Sequence, residues 1–398
     1  MSGGSVKING FEFSAVKAGI KKSGALDLGL IISNTKASAA CVLTTNKLKA
    51  APILLCQDRI KSGNCKGIIV NSGCANASTG EDGLADAKAM TAYVAHTLNI
   101  DEDDILVAST GVIGEQLAMQ KIKSAVPELC GSLSADKLDR FSTAIMTTDT
   151  YEKVSSRTIT LDGKDVTVAG VAKGSGMIMP NMATMLGFIM TDAAVEHKHL
   201  SAILTECVNM TFNRVTVDSD TSTNDMVLFM ANGESGAAEI TKGSPDAETF
   251  FNAAKEVMYD LAVMMAKDGE GATKLIRITT KRAKTEADAD SVSRSVANSP
   301  LVKTAFFAED ANVGRLMMAI GKSDATIYPN EIDIFINDIA IVKGSRVLTA
   351  DNEDELSESL KGDTINVVII LNTGEAEAEI LTCDLSYDYI KINSAYRT

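Results

Sequence analysis

Gly67-Ile-Ile-Val70 is a short β-branched run, and it enters Asn71-Ser-Gly-Cys-Ala-Asn-Ala-Ser-Thr-Gly80, a stretch of small and polar residues. Beyond it, apolar side chains recur at Leu84, Ala87, Val94 and Leu98, with Thr91 the one polar member, at the spacing of a helix face. One segment therefore reads as strand, polar turn and helix. The pattern returns at once, with Ile105-Leu-Val-Ala108 running into Ser109-Thr-Gly-Val-Ile-Gly114 and a helix-forming stretch from Glu115. Polar turns at the carboxyl ends of strands are favoured places for sites in α/β architecture.

Working outward, two alternating strands between Arg157 and Ala172 flank Asp162-Gly163, a strong hairpin signal. A Gly/Met-rich loop follows, and Thr184-Met-Leu-Gly-Phe-Ile-Met-Thr191 reads as another strand. A helix is expected over about 245–266, with Ser244 as N-cap, Pro245 at the first helical position, and Phe250, Ala254, Val257, Leu261 and Met264 on one face. The last third predicts strands near 275–280, 302–307, 331–342, 365–371 and 376–384. No repeat or low-complexity tract interrupts it. The expectation is a mixed α/β chain with several sheet–helix layers.

Composition limits the chemistry. The 398 residues carry a formal charge of −14, so a broad basic surface for nucleic acid or anionic lipid is not expected. With 45% hydrophobic and 23% charged residues, the chain can bury a sizeable core, and its length suggests two or three domains. Seven scattered cysteines without a Cys-x-x-Cys pair fit buried thiols better than disulfides or zinc. The first 30 residues lack the order of a signal peptide, and the longest apolar stretch, near Val367–Leu371, is far shorter than the ~20 residues of a spanning helix. A soluble cytoplasmic protein is expected.

The only histidines are His96, His197 and His199. His197-x-His199 begins a helical stretch, where i,i+2 residues do not face each other, so two exposed polar residues are expected there and no metal site. His96 falls within a helix and no Gly-x-Ser-x-Gly elbow occurs, which removes a Ser-His-Asp triad. No Gly-Lys-Ser/Thr follows Gly174-Ser-Gly176, and Gly269-Glu-Gly271 follows a helix rather than a strand, so neither nucleotide fingerprint is present.

What remains is Lys173-Gly-Ser-Gly-Met-Ile-Met-Pro-Asn-Met-Ala-Thr-Met-Leu186, a flexible loop and Pro180 ahead of a threonine that opens a strand. It has two readings. It is a Met-rich core loop of the adaptable kind, or it is the junction of an enzyme that cuts its own chain. A threonine hydroxyl is a weak nucleophile until something takes its proton. Cleavage before Thr184 frees an α-amine with a pKa of about 8 on the same residue, a base that needs no histidine.

At these residues the chain resembles the ornithine acetyltransferase (glutamate N-acetyltransferase) family of arginine biosynthesis, from about Gly10 to the end. Six blocks carry the resemblance: Ser109-Thr-Gly-Val-Ile-Gly114, Met146-Thr-Thr-Asp-Thr150, Lys173–Thr184, Thr216-Val-Asp-Ser-Asp-Thr-Ser-Thr-Asn-Asp225, Asp268-Gly-Glu-Gly-Ala-Thr-Lys274 and Lys391-Ile-Asn-Ser-Ala-Tyr-Arg-Thr398. The resemblance implies a self-cleaving N-terminal-nucleophile enzyme with helices flanking stacked sheets and a smaller C-terminal α/β domain from about 280. It implies cleavage between Ala183 and Thr184 into chains 1–183 and 184–398, assembled as two α and two β chains.

The same resemblance implies ping-pong acetyl transfer from N-acetylornithine to glutamate, with Thr184 as nucleophile and Thr110 and Gly111 as oxyanion donors. Substrate contacts carry over to Thr147, Lys173, Thr184, Glu270, Asn393 and Thr398, with no cofactor and acetyl-CoA left open as a second donor. A cation such as Lys173 can pair the α-carboxylate that both amino acids carry, and a carboxylate such as Glu270 can hold ornithine's ammonium. The chain departs from the family pattern at Cys74 and Ser78, and at Ala311 and Val313 in Asp310-Ala-Asn-Val-Gly-Arg315. Two rival readings stay open: an N-terminal-threonine amidohydrolase or aminopeptidase with water as acceptor, and a binding protein without catalysis.

Overall fold

The computed structural model describes residues 6–179, 185–348 and 353–395. In the first part of the chain, β1 (Phe11–Val16) pairs antiparallel with the 16-residue β2 (Leu28–Leu43). A helix with Pro at its start, α1 (Ala51–Arg59), leads to β3 (Asn64–Cys74), and α2 (Gly80–Leu98) returns the chain to β4 (Ile105–Val112), parallel to β3. The segment 67–98 is thus strand, turn and helix, but both strands run further than their apolar runs. Ser72 pairs with Thr110 and Gly73 with Gly111, so the parallel ladder carries the polar residues into the strand ends. The buried face of α2 is Ala87, Met90, Thr91, Val94 and Ala95; Thr91 is tolerated there because its hydroxyl donates to the Lys88 carbonyl at 2.8 Å. Burying a side chain such as Val94 contributes about 1.5–3 kcal/mol.

Next come α3 (Met119–Gly131), α4 (Leu138–Ile145) and the hairpin of β5 (Lys153–Leu161) and β6 (Lys164–Lys173). Asp162 and Gly163 both have positive φ (50° and 70°), as the tight turn requires. They are followed by β7 (Leu186–Thr191), α5 (His197–Met210), β8 (Met226–Ala231) and α6 (Ala247–Lys267). The long helix starts two residues later than its capping signal. Ser244 instead accepts the Thr241 N–H at 2.9 Å, which ties it into the preceding turn.

Eight strands form one sheet in the order β4-β3-β2-β8-β7-β6-β5, with β1 beside β2. Along β7 and β8, Leu186, Phe188, Met226 and Leu228 enter a core shared with α1–α4, while Ile189, Val227 and Phe229 enter one shared with α5 and α6. β2 joins two halves: its first residues pair with β1 and β3, and its last, beyond a register shift between Ile32 and Ala37, pair with β8. Phe141 of α4 lies over Gly29 of β2 and meets Phe188 of β7 edge-on at 5.5 Å, so α4 packs on both halves.

A second sheet starts with β9 (Leu275–Ala283). The chain continues through α7 (Glu286–Ala297), α8 (Pro300–Phe307), α9 (Val313–Gly321), β10 (Asp333–Ile336), β11 (Ile339–Lys343) and β12 (Arg346–Val347). It ends with α10 (Glu353–Ser359), β13 (Thr364–Ile370), β14 (Ala376–Cys383) and α11 (Tyr387–Ala395). The strand order is β12-β11-β10-β13-β9-β14, over a third core with α7, α8 and α9. Leu381 and Cys383 reach into the second core, and Thr216 donates its N–H to the Leu381 carbonyl at 2.9 Å, joining the two sheets.

Two expected strands differ. The run 302–307 is the body of α8, because Ser299 caps the Val302 N–H and Pro300 opens the helix; these signals outweigh the β-branched and aromatic content. The stretch 331–342 is two strands, folded back at Asn337-Asp338, whose φ values of 47° and 68° make a tight turn. Among the described residues no helix is long and apolar enough to cross a membrane.

Candidate active site

The ends of β4 and β6 bring the polar groups together. Lys173 closes β6 on the face that carries Ala169 and Val171, and it is buried. Its Nζ donates to Thr147 Oγ1 at 2.7 Å and to Thr110 Oγ1 at 3.4 Å, with the nearest carboxylate, Asp149, 4.0 Å away. Burial lowers the Lys173 pKa below the ordinary lysine value of 10.5, and Asp149 partly opposes the shift. Because Lys173 donates to the Thr110 oxygen, the Thr110 proton is left to point elsewhere. Gly111 has φ +129°, and a Cβ there would lie 2.4 Å from the Gly73 carbonyl carbon. Only glycine fits this close approach of β4 to β3.

Across the cavity stands Glu270, in the turn after α6. Its carboxylate accepts Asn393 Nδ2 of α11 at 2.8 Å, and its N–H donates to the Ser175 carbonyl at 2.8 Å. Thr110, Gly111, Thr147, Lys173, Glu270 and Asn393 all line one cleft, which encloses about 600 Å³ including its open mouth. Ala183, Thr184 and Thr398 lie outside the described residues. None of Cys74, Ser78, Ala311 and Val313 lines the cleft.

Beneath the cleft lies a charge network with no counterpart in the sequence reading. Asp149 accepts the N–H groups of Thr147 (2.9 Å) and Gly174 (2.7 Å) and the Nζ of Lys153 (2.7 Å). Burial alone would raise the Asp149 carboxyl; Lys173 and Lys153 outweigh it and hold the group below the usual carboxylate range. Lys153, 0% exposed, reaches Asp268 at 2.5 Å, and Asp268 in turn holds the Thr150 N–H and hydroxyl. The Thr216–Asp225 segment adds three supports. Asp218 takes the Met177 and Ile178 N–H groups at 2.6 and 2.8 Å, and Asp225 takes that of Met185 at 3.0 Å. Asn224 donates to the carbonyls of Ala75 and Ser109 at 2.6 and 2.9 Å, bracing the ends of β3 and β4. Burial raises both Asp218 and Asp225, the latter well above the usual range.

The histidines stand apart. His197 and His199 open α5; both are half-buried rather than exposed, and His197 Nδ1 lies 3.1 Å from the Ala39 carbonyl. Among the described residues no three His, Cys, Asp or Glu side chains are grouped to hold a metal. All seven thiols are free.

Fold and site together define a mixed α/β enzyme whose cleft presents hydroxyls, a cation and a carboxylate, with no imidazole among the lining residues. The chain belongs to the ArgJ family, whose model matches residues 12–398. The arginine biosynthesis bifunctional protein ArgJ of Geobacter sulfurreducens is 47% identical over 393 residues, covering 99% of this chain and all of that one. The protein of the same name from Bacillus cereus is 45% identical over 397 residues, covering 100% of this chain and 97% of its own. A crystal structure of arginine biosynthesis bifunctional protein argJ from Bacillus halodurans is similar at 41% identity and a TM-score of 0.51, covering 52% of this chain and 98% of that one.

Proposed function

We propose that the chain cuts itself between Ala183 and Thr184 and then, as chains of 183 and 215 residues, carries acetyl from N-acetylornithine to glutamate in arginine biosynthesis. The observation that carries the reading is Lys173: a buried ammonium held by two hydroxyls, with its nearest carboxylate, Asp149, at the 4.0 Å edge of ion-pair range, facing a cleft whose other wall is Glu270. Such a pair fits an amino acid with an α-carboxylate at one end and an ammonium at the other.

The Thr184 amine, with a pKa of about 8, takes the proton of its own hydroxyl, and Oγ attacks the acetyl carbonyl. The carbonyl electron pair moves to oxygen, where the Thr110 hydroxyl and the Gly111 N–H receive it. The C–N bond breaks, the α-ammonium of Thr184 returns the proton to the departing ornithine amine, and acetyl remains as a threonine ester. Glutamate binds through its α-carboxylate at Lys173 and Thr147, its amine attacks the ester, and the same steps run in reverse to N-acetylglutamate. The enzyme works in the cytoplasm as two α and two β chains.

The test combines processing and transfer. Wild-type protein on a denaturing gel gives two chains, the larger beginning at Thr184, and Thr184→Ala stays whole. Acetyl transfer is measured with N-acetylornithine or acetyl-CoA as donor and glutamate or water as acceptor. A Thr184→Ala protein that is still split there, or a wild type that hydrolyses N-acetylornithine as fast without glutamate as with it, refutes the proposal.

A further inference from the structure

Lys153 lines no part of the cleft, yet it is a fully buried lysine between two carboxylates, 2.7 Å from Asp149 and 2.5 Å from Asp268. Buried ion pairs add little net stability, because desolvating the charges offsets their attraction. Its neighbours show what it connects. Asp149 holds the N–H of Thr147 and of Gly174, the residue after Lys173, so this one carboxylate fixes the wall that takes the substrate's α-carboxylate. Asp268 lies two residues before Glu270, in a turn that cannot slide. A Cβ on Gly269 would meet Cys383 Sγ at 2.6 Å, and one on Gly271, at φ +68°, would meet the Tyr389 nitrogen at 2.5 Å. Lys153 is therefore the strut between the two walls.

We propose that Lys153 is a positioning residue that sets the distance between Lys173 and Glu270 and so selects the substrate by chain length, favouring ornithine's three methylenes over the four of lysine. This rests on the reaction proposed above. With Lys153 uncharged, Asp149 and Asp268 repel across the gap, and with Asp268 uncharged the ion pair that ties the strut to the Glu270 turn is lost; in either case the walls loosen and the longer diamino acid gains relative to the shorter.

The experiment compares kcat/KM for N-acetylornithine and N-acetyllysine, with glutamate as acceptor, in wild type, Lys153→Met and Asp268→Asn. One methylene in a fitted site is worth about 10- to 200-fold in discrimination. Wild type is expected to prefer N-acetylornithine within that range, and each variant to lose at least about fivefold of the preference. Asp268→Asn keeps a side chain of the same shape beside Thr150 and decides the matter if Lys153→Met does not fold. A role confined to stability would lower both activities together and leave their ratio unchanged. An unchanged ratio in folded, processed Asp268→Asn overturns this inference and leaves the proposed reaction standing. A wild type that moves no acetyl from N-acetylornithine to glutamate overturns both.

Discussion

Replacing Gly176 by alanine moves one site group by a calculable amount. A Cβ at this position would lie 2.4 Å from Glu270 Cδ and 2.5 Å from each carboxylate oxygen. Ordinary carbon contacts begin at about 3.4 Å, so the carboxylate must retreat by about 1 Å. That shift displaces the carboxylate that accepts the 2.8 Å bond from Asn393 Nδ2, by about a third of a hydrogen-bond length. Misplacing a positioning group by about 1 Å costs on the order of 100-fold in rate, equivalent to about 2.7 kcal/mol. Stability should barely change. Gly176 is absent from the positive-φ residues, the atoms that yield end a flexible side chain, and alanine for glycine at a compatible site stabilises by about 0.4–1 kcal/mol through the unfolded chain. Gly176→Ala is therefore expected to lower kcat/KM for N-acetylornithine by ~10- to 100-fold with an unchanged denaturation midpoint. In a Glu270→Ala background the same change should cost nothing further, since the group it displaces is gone. Unchanged kcat/KM, or an equal loss in both backgrounds, refutes the reasoning.

Two further predictions concern the opposite wall. Gly111→Ala combines a φ of +129° with a Cβ 2.4 Å from backbone at Gly73, an overlap that no side-chain rotation relieves. It should destabilise by roughly 2–4 kcal/mol in denaturant unfolding, and wild-type stability would show that β4 has room there. Lys173 must be protonated to pair a carboxylate, and burial lowers its pKa. KM for N-acetylornithine should therefore climb with pH from below 10.5, while Lys173→Arg, whose guanidinium stays charged, should lack that alkaline limb. The sign for stability is fixed too. Between the lowered folded value and 10.5 the unfolded chain binds more protons, so the Lys173 contribution to stability grows as pH rises through that window. A limb that persists in Lys173→Arg assigns it to another group.

Where local chemistry decides, the sequence was readable. The β-branched run 67–70 and the apolar spacing after it gave a strand and a helix, and Asp162-Gly163 gave the hairpin. It misled where two local signals compete, as at Ser299-Pro300 against the β-branched run that follows. Thr110, Gly111, Thr147, Lys173, Glu270 and Asn393 were named through the family resemblance that the motif blocks carry, and the fold brings them to one cleft. The network under them was not legible. Lys153 and Asp268 are 115 positions apart, and a single lysine or aspartate in a sequence reads as a solvated charge. Only the fold, by bringing β5 to the end of α6, reveals that Lys153 is fully buried.

The strand order has a consequence for a protein cut ahead of Thr184. Reading across the sheet, β4, β3 and β2 belong to the first chain, β8 and β7 to the second, and β6 and β5 to the first again. The second chain's two strands are clasped on both sides, by β2 and by β6. Neither product can leave without stripping two ladders at once, so the halves should melt together in a single transition. Return is a different matter: the precursor threads that sheet as one molecule, whereas the severed halves must find each other and interleave. The proposed cut would thus act as a ratchet, leaving an enzyme as cohesive as its precursor but poorly able to refold once lost.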